Sequence, residues 1–250
     1  MGSPPMRTAL VTGGGRGIGR ASALALARSG HHLCLTYVRD RDAASSAADL
    51  ARESGVNAHL IEADLGVPKD VERCWGEAHR ALGRVDVFVA NAGIAPLTPL
   101  DEISLEEWGH VMDVNLRSAM LLGRLCLADM KSRAFGRIVT IASQAGVTGG
   151  FFVGAHYAAS KGALIALTKH FAKQGAAHGV TANCVVPGLI DTDLTRAFPA
   201  DRRAGLINSI PMRRMGTADE VAGLVSFLAS DIAGYMSGAV IPVDGALLAG

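Results

Sequence analysis

Thr8-Ala9-Leu10-Val11-Thr12-Gly13-Gly14-Gly15-Arg16-Gly17-Ile18-Gly19 decides the fold of this chain. The apolar run Thr8-Ala9-Leu10-Val11 reads as a buried strand. Residues 20–28, rich in Ala and Leu, read as a helix. Between them the glycines follow T-G-x-x-x-G-x-G, not G-x-G-x-x-G. Glycine lets the backbone turn sharply and approach a pyrophosphate closely, while a helix N-terminus offers free N–H groups and partial positive charge. A flexible linker has similar composition, but linkers are not usually clamped between a hydrophobic strand and an Ala/Leu helix. The stretch therefore predicts a dinucleotide-binding turn, subject to its context.

That context repeats outward. Residues 32–38, 58–63, 85–90, 136–142, 180–186 and 239–243 read as further strands. Residues 40–53, 67–82, 104–130, 155–177 and 218–229 read as helices. In 67–82, Val71, Trp75, Ala78 and Leu82 fall at helical spacing, and Gly83 closes the helix. Strands alternating with helices give βαβ units, and near-continuous apolar strands fit a parallel sheet covered on both faces. The fold expected is α/β: a single-domain, Rossmann-type, doubly wound parallel sheet of about seven strands, spanning residues 1–250. In such sheets ligands lie at the C-terminal ends of the strands. Gly13, Asp64, Asn91, Ser143 and Pro187 all fall just past strand ends.

Bulk properties narrow the class. With 250 residues, 49% hydrophobic, the chain is long enough for one large core. A net charge of +1 argues against nucleic acid or an anionic membrane as the main partner. No apolar run approaches the ~18 residues of a membrane span. No signal-like apolar segment precedes the first strand, and Pro4 and Pro5 fit a myristoylation motif poorly. Cys34, Cys74, Cys126 and Cys184 are scattered and read as buried thiols of a reducing, cytoplasmic compartment. The histidines show no ligand spacing, so no metal site is expected.

Tyr157 and Lys161 are four residues apart at the start of a helix, one turn apart on one face. A free phenol near pKa ~10 is too weak an acid–base group at neutral pH, and a neighbouring ammonium lowers it. The spacing is common by chance. Ser143 strengthens it by ending a strand fourteen residues earlier, although a serine there also suits a turn cap. Asn115 sits inside a helix, where asparagine is a poor former. It reads either as an exposed residue or as a kink that offers a carbonyl to a water chain.

These residues together resemble the short-chain dehydrogenase/reductase family over essentially the whole chain. The resemblance rests on Thr12 to Gly19, Asp64, Asn91-Ala92-Gly93, Asn115, Ser143, Tyr157-Ala158-Ala159-Ser160-Lys161 and Pro187-Gly188-Leu189-Ile190-Asp191-Thr192. Within the family, the chain is most similar to the 3-oxoacyl-[acyl-carrier-protein] reductases. The resemblance implies hydride transfer between a nicotinamide and a carbonyl or alcohol carbon. Tyr157 would be the general acid, Lys161 would lower its pKa and bind the ribose, Ser143 would hold the carbonyl oxygen, and Asn115 would anchor a proton-relaying water. The cofactor-binding set implied is Gly13, Gly15, Arg16, Gly17, Ile18, Gly19, Arg39, Asp64, Leu65, Asn91, Ala92, Gly93, Tyr157, Lys161, Pro187, Gly188, Ile190 and Thr192.

Four finer expectations follow. Tyr37 or Val38, then Arg39, stand where an NAD site usually places an acid, and Arg16 is a second cation. The cofactor expected is therefore NADP(H), with Asp40 and Asp42 the counter-indication. Residues 190–215, broken by Pro199 and Pro211, read as a lid carrying Leu194, Phe198, Leu206 and Ile207 over an apolar wall of Phe151, Phe152 and Val153. The substrate expected is a 3-oxoacyl thioester, with an acyl-carrier protein allowed as carrier but not required. Arg133 with Lys131 would receive such a carrier, and His178 stands where the family has a second arginine. A reductase of a free ketone, polyketide or sugar, and a non-catalytic nucleotide-binding protein, are the alternative readings. Apolar residues on several faces of 109–131 and 155–177 imply, with the resemblance, a homotetramer.

Overall fold

A computed structural model describes residues 6–150, 153–196 and 200–249, with the backbone alone at residues 201 and 202. Seven strands form one sheet: β1 (Thr8–Val11), β2 (His32–Tyr37), β3 (Ala58–Glu62), β4 (Val87–Ala90), β5 (Gly136–Ile141), β6 (Val180–Pro187) and β7 (Val240–Val243). Their spatial order is β3-β2-β1-β4-β5-β6-β7, and every pairing is parallel. The order reverses between β1 and β4, which opens a crevice there at the strand C-termini.

Helices cover both faces. On one side α1 (Gly17–Arg28), α2 (Arg41–Arg52) and α10 (Ala218–Ala229) bury Leu26, Ala47, Val225 and Leu228 against Val11, Val89 and Val139. On the other, α3 (Pro68–Leu82), α5 (Ser118–Ser132) and α7 (Ala155–Gly175) bury Cys74, Leu122, Met130 and Leu164 against Leu10, Phe88 and Ile138. Strands sandwiched this way must be apolar on both faces, and β1, β4, β5 and β6 are buried along their whole lengths.

Several elements depart from the expected boundaries. α1 begins at Gly17, not Arg20, so the last glycines of the turn are already helical. The stretch 104–130 is one path: α4 (Leu105–Met112), a π-helical turn over Asp113–Arg117, then α5. Ser104 caps α4 by accepting from Glu107 N at 3.0 Å. A short helix, α6 (Ala145–Thr148), follows Ser143. After β6 the chain makes α8 (Asp193–Arg196) and α9 (Ala200–Ser209). This excursion closes on itself at a parallel bridge between Ile190 and Gly216. No described helix is long and apolar enough to cross a membrane.

At the edge of the sheet where the strands begin, Arg133 is held in an ionic lock. Arg133 contacts Asp86 at 2.6 Å and Asp129 at 2.7 Å and donates to Val85 O at 2.8 Å. This corrects the expectation that Arg133 and Lys131 receive a carrier at the mouth of the site. Both residues, like His178, precede a strand, whereas the site residues follow one. Six residues of β5 separate the two ends, roughly 20 Å at ~3.3 Å per residue.

Candidate active site

The glycine turn is held by two threonines. Gly13 N donates to Thr36 Oγ1 at 3.0 Å, and Gly14 N donates to Thr36 O at 3.1 Å. Thr12 Oγ1 accepts from Asn91 N and Ala92 N, each at 3.0 Å. Asn91 Nδ2 donates back to Thr12 O at 2.9 Å and Gly13 O at 3.2 Å. The ends of β1, β2 and β4 are thus tied into one unit. A Cβ on Gly19 would strike the Gly13 carbonyl oxygen and Asn91 Nδ2, and Gly17 has φ +52°. The turn therefore demands glycine at both positions.

The N-terminus of α1 is open to an anion. Arg16 makes no side-chain cap, and no acidic residue lies in the first turn. Arg16 and Arg39 are both exposed. Of the two counter-indications, Asp40 is engaged locally, its carboxylate accepting from Ala43 N at 2.9 Å and capping α2, while Asp42 stands in the first turn of that helix. Asp64 Oδ1 closes its own turn by accepting from Gly66 N at 2.9 Å. The Leu65 side chain is buried in the core beside Val71 and leaves only backbone to face a ligand. Thr192 packs over Gly17, 3.4 Å from where a Cβ would lie. Gly188 N donates to Val243 O at 3.0 Å, and Pro187 O accepts from Gln144 N at 2.9 Å. The post-β6 loop thereby holds the turn that carries Ser143.

Lys161 is buried at 3% exposure. Its Nζ donates to Ile141 O at 2.8 Å and lies 5.8 Å from the Tyr157 ring centroid. Burial pulls its ammonium down to about 8. Burial pushes the Tyr157 phenol up, with a hydrogen bond to Ser143 working the other way. The expected lowering of Tyr157 by Lys161 is therefore not what this arrangement gives: burial sets the direction, Ser143 opposes it, and the ammonium's hydrogen bond goes to a backbone carbonyl. The phenol stays protonated at neutral pH.

Asn115 is not an exposed residue but is 1% exposed, inside the π-helical turn. Its Oδ1 accepts from Ile94 N at 2.8 Å, and its Nδ2 donates to Ile94 O at 2.9 Å and Ser160 Oγ at 3.0 Å. Ser160 in turn donates to Tyr157 O at 2.7 Å. Gly93 lies beneath, and a Cβ there would sit 3.3 Å from both Asn115 Oδ1 and Lys161 Nζ. Ala95, Ala145, Val153, Tyr157 and Ala158 form one apolar cluster. Phe151, Phe152 and Phe198 lie outside the described residues. Leu194 is exposed, and Leu206 and Ile207 are half-buried.

The structure thus gathers the glycine turn, Asp64, Asn91, Gly93, Asn115, Ser143, Tyr157, Lys161 and the loop from Pro187 to Thr192 at one edge. Thr36 is an addition to the sequence reading, and the bonding roles of Thr12 and Ser160, residues already within the quoted motifs, come from the structure. Nothing local marks Thr36, whose bond to Gly13 crosses from β2 to the glycine turn.

A doubly wound sheet with a glycine turn at its switch point, facing a serine, a tyrosine and a buried lysine, is an oxidoreductase architecture, and the chain belongs to the short-chain dehydrogenase/reductase family. Residues 13–247 match the family model described as Enoyl-(Acyl carrier protein) reductase. The 3-oxoacyl-[acyl-carrier-protein] reductase MabA of Mycobacterium avium is 40% identical over 245 residues, covering 96% of this chain and 89% of the relative. The 3-oxoacyl-[acyl-carrier-protein] reductase FabG of Escherichia coli K12 is 37% identical over 241 residues, covering 96% and 97%. Among solved structures, a proposed NAD(P)-dependent gluconate 5-dehydrogenase from Beutenbergia cavernae, with NADP bound at low occupancy, superposes with TM-score 0.91 at 41% identity, covering 98% and 97%.

Proposed function

We propose that this protein is an NADPH-dependent ketoreductase that converts a 3-oxoacyl thioester to the 3-hydroxyacyl thioester. One observation carries the reading: a buried phenol and a buried ammonium on consecutive turns of α7, beside Ser143, face the same strand ends as an open helix N-terminus. The similarity to MabA and FabG supports the thioester. NADP in the related structure, together with exposed Arg16 and Arg39 and a capped Asp40, supports the phosphorylated cofactor.

The residues present fit a dinucleotide. The α1 N-terminus, Gly15 and Gly17 receive the pyrophosphate. Arg16 and Arg39 take the 2′-phosphate by charge-assisted hydrogen bonds. Asp64, the backbone of Leu65, and Asn91-Ala92-Gly93 line the adenosine side, while Ile190 and Thr192 reach the nicotinamide side. The bound cofactor supplies a hydride from nicotinamide C4. Tyr157 donates its phenolic proton to the carbonyl oxygen as negative charge develops there, and Ser143 donates a hydrogen bond to the same oxygen. Lys161 holds the ribose hydroxyls and returns a proton to Tyr157. The π-helical turn at Asn115 is where a carbonyl departs from the ordinary ladder and anchors the water that resupplies Lys161.

The excursion from 190 to 215, pinned at its neck by Ile190 and Gly216, closes over the acyl chain and excludes water. The four free thiols fit a reducing cytoplasm. Four copies assemble through the outer faces of α5 and α7.

The test is a panel of 3-oxoacyl thioesters, enoyl thioesters, free cyclic ketones and ketoses, each with NADPH and with NADH. The thioester should lead in kcat/KM, and NADPH should exceed NADH at least about tenfold, the worth of one charged hydrogen bond. A tenfold preference for a free ketone, sugar or enoyl thioester overturns the substrate reading, and equal use of the two cofactors overturns the cofactor reading.

A further inference from the structure

We propose that Thr98, Glu107 and His156 form a positioning cross-link that clamps the wall after β4 to the first turn of α7 and so fixes Tyr157 against the substrate. The inference rests on the reading of Tyr157 as the proton donor. His156 is the chain neighbour of Tyr157 and is completely buried. Its Nε2 lies 3.0 Å from Glu107 Oε1 on α4. Thr98 Oγ1 donates to that same oxygen at 2.6 Å. Both bonds hold the Glu107 carboxyl below its usual range, so it is an ionised acceptor at neutral pH. A carboxylate can only accept, so Nε2 of His156 carries the proton. Its Nδ1 has no partner among the described residues.

The surroundings make the link directional. Trp108 stacks on the imidazole at 6.5 Å between centroids and 23° between planes. Gly154 N donates to Pro96 O at 3.0 Å, and a Cβ on Gly154 would strike the His156 ring. The wall at 94–98 is therefore fastened to the start of α7 at its cap residue Gly154 and, through Glu107, at His156. Ala95 from that wall and Val153 from the other side both pack in the Tyr157 cluster. Asn115 fastens the near end of the same wall at Ile94. Burying an imidazole with one bare nitrogen costs solvation that an apolar side chain of similar size avoids. Packing alone does not call for it, whereas a fixed angle between the wall and α7 does.

His156→Gln and His156→Asn separate bond from bulk. The glutamine amide reaches the position of Nε2 and keeps the bond to Glu107, while the asparagine amide reaches only the position of Nδ1. Two readouts are taken on the full-length protein: hydrogen exchange over 94–104 and 153–160, and kinetics with NADPH and whichever carbonyl substrate the wild type reduces. His156→Asn and Glu107→Ala should raise exchange in both segments together and lower kcat/KM for the carbonyl substrate at least about tenfold. KM for NADPH should stay within about twofold, and His156→Gln should restore both readouts. Thr98→Val, which removes one hydroxyl, should show the same pattern more weakly if the larger changes prevent folding. Equal behaviour of the glutamine and asparagine variants overturns the proposal, as does a rise in exchange in one segment alone. A wild type that reduces no carbonyl overturns the functional reading instead, and the exchange data still test the cross-link.

Discussion

Among the described residues the ammonium of Lys161 is held by one backbone carbonyl, that of Ile141, and the residue has almost no contact with water. Its ammonium therefore releases its proton near 8 instead of 10.5. Between those two values the unfolded chain binds the extra proton, so the contribution of this group to stability rises with pH across that window. For catalysis the sign is opposite. In the function proposed above, the ammonium present below about 8 binds ribose and resupplies Tyr157, while burial raises the Tyr157 phenol and keeps it loaded. The kcat/KM for carbonyl reduction should be level from pH 6 to about 7.5 and fall above about 8. Lys161→Arg should move that alkaline fall upward by more than one unit. A pH profile of both proteins checks this, and a wild-type rate level to pH 10 contradicts it. The Tyr157–Lys161 pair was legible in the sequence because a four-residue spacing fixes a shared helix face. The direction of the phenol shift was not, because burial depends on every element packed around α7. Ser160 stood within the quoted motif, but its partners were not legible: its bonds run to Asn115, 45 residues away, and to its own helix backbone.

The glycine turn shows at the scale of an element how residue choice makes a ligand cradle. Its carbonyls are held by Asn91 and its N–H groups by Thr36, so it cannot yield to an added atom. Gly19→Ala should weaken NADPH binding at least about tenfold while the far-ultraviolet spectrum stays unchanged. Gly76→Ala is the matched control, in α3 with open space around it. It should bind NADPH normally and gain about 0.5–1 kcal/mol of stability from helix propensity. Titration of NADPH fluorescence and thermal melts check the pair, and normal binding by Gly19→Ala contradicts the account of the turn. Strand, glycine turn and helix were readable in order because each has a local signal. The start of α1 was misplaced because glycine propensity alone argues against a helix that the turn geometry requires. The π-helical turn was anticipated only as a kink at Asn115, since the side-chain bonds that hold it come from Ile94 and Ser160.

On the scale of the whole molecule, the strand order brings every site segment to one edge and the ionic lock at Asp86 and Arg133 to the other. The sequence showed that the strands are parallel, because buried strands and intervening helices leave one architecture. It did not reveal which end Arg133 occupies, since a residue just before β5 lies far from residues just after it. A shallow groove runs from the end of α4 over the π-helical turn to faces of α5 and α7, with Met112, Leu116, Met120, Ala163 and Leu167 as its apolar lining and Asp113 and Arg117 beside them. If four copies cover these faces, light scattering at micromolar concentration gives a mass four times that of the chain, and a monomer alone contradicts the assembly.

In the proposed function the phenol of Tyr157 delivers the proton and does not hold the cofactor by itself. Tyr157→Phe keeps the ring and its packing with Ala145, Val153 and Ala158 and removes only the donor. The most direct measurement is single-turnover reduction of a 3-oxoacyl thioester by the NADPH-loaded wild type and Tyr157→Phe, with NADPH affinity read in parallel. The predicted result is a rate lower by about 10² to 10⁴ with affinity within a few-fold of wild type. A near-normal rate in Tyr157→Phe would contradict it.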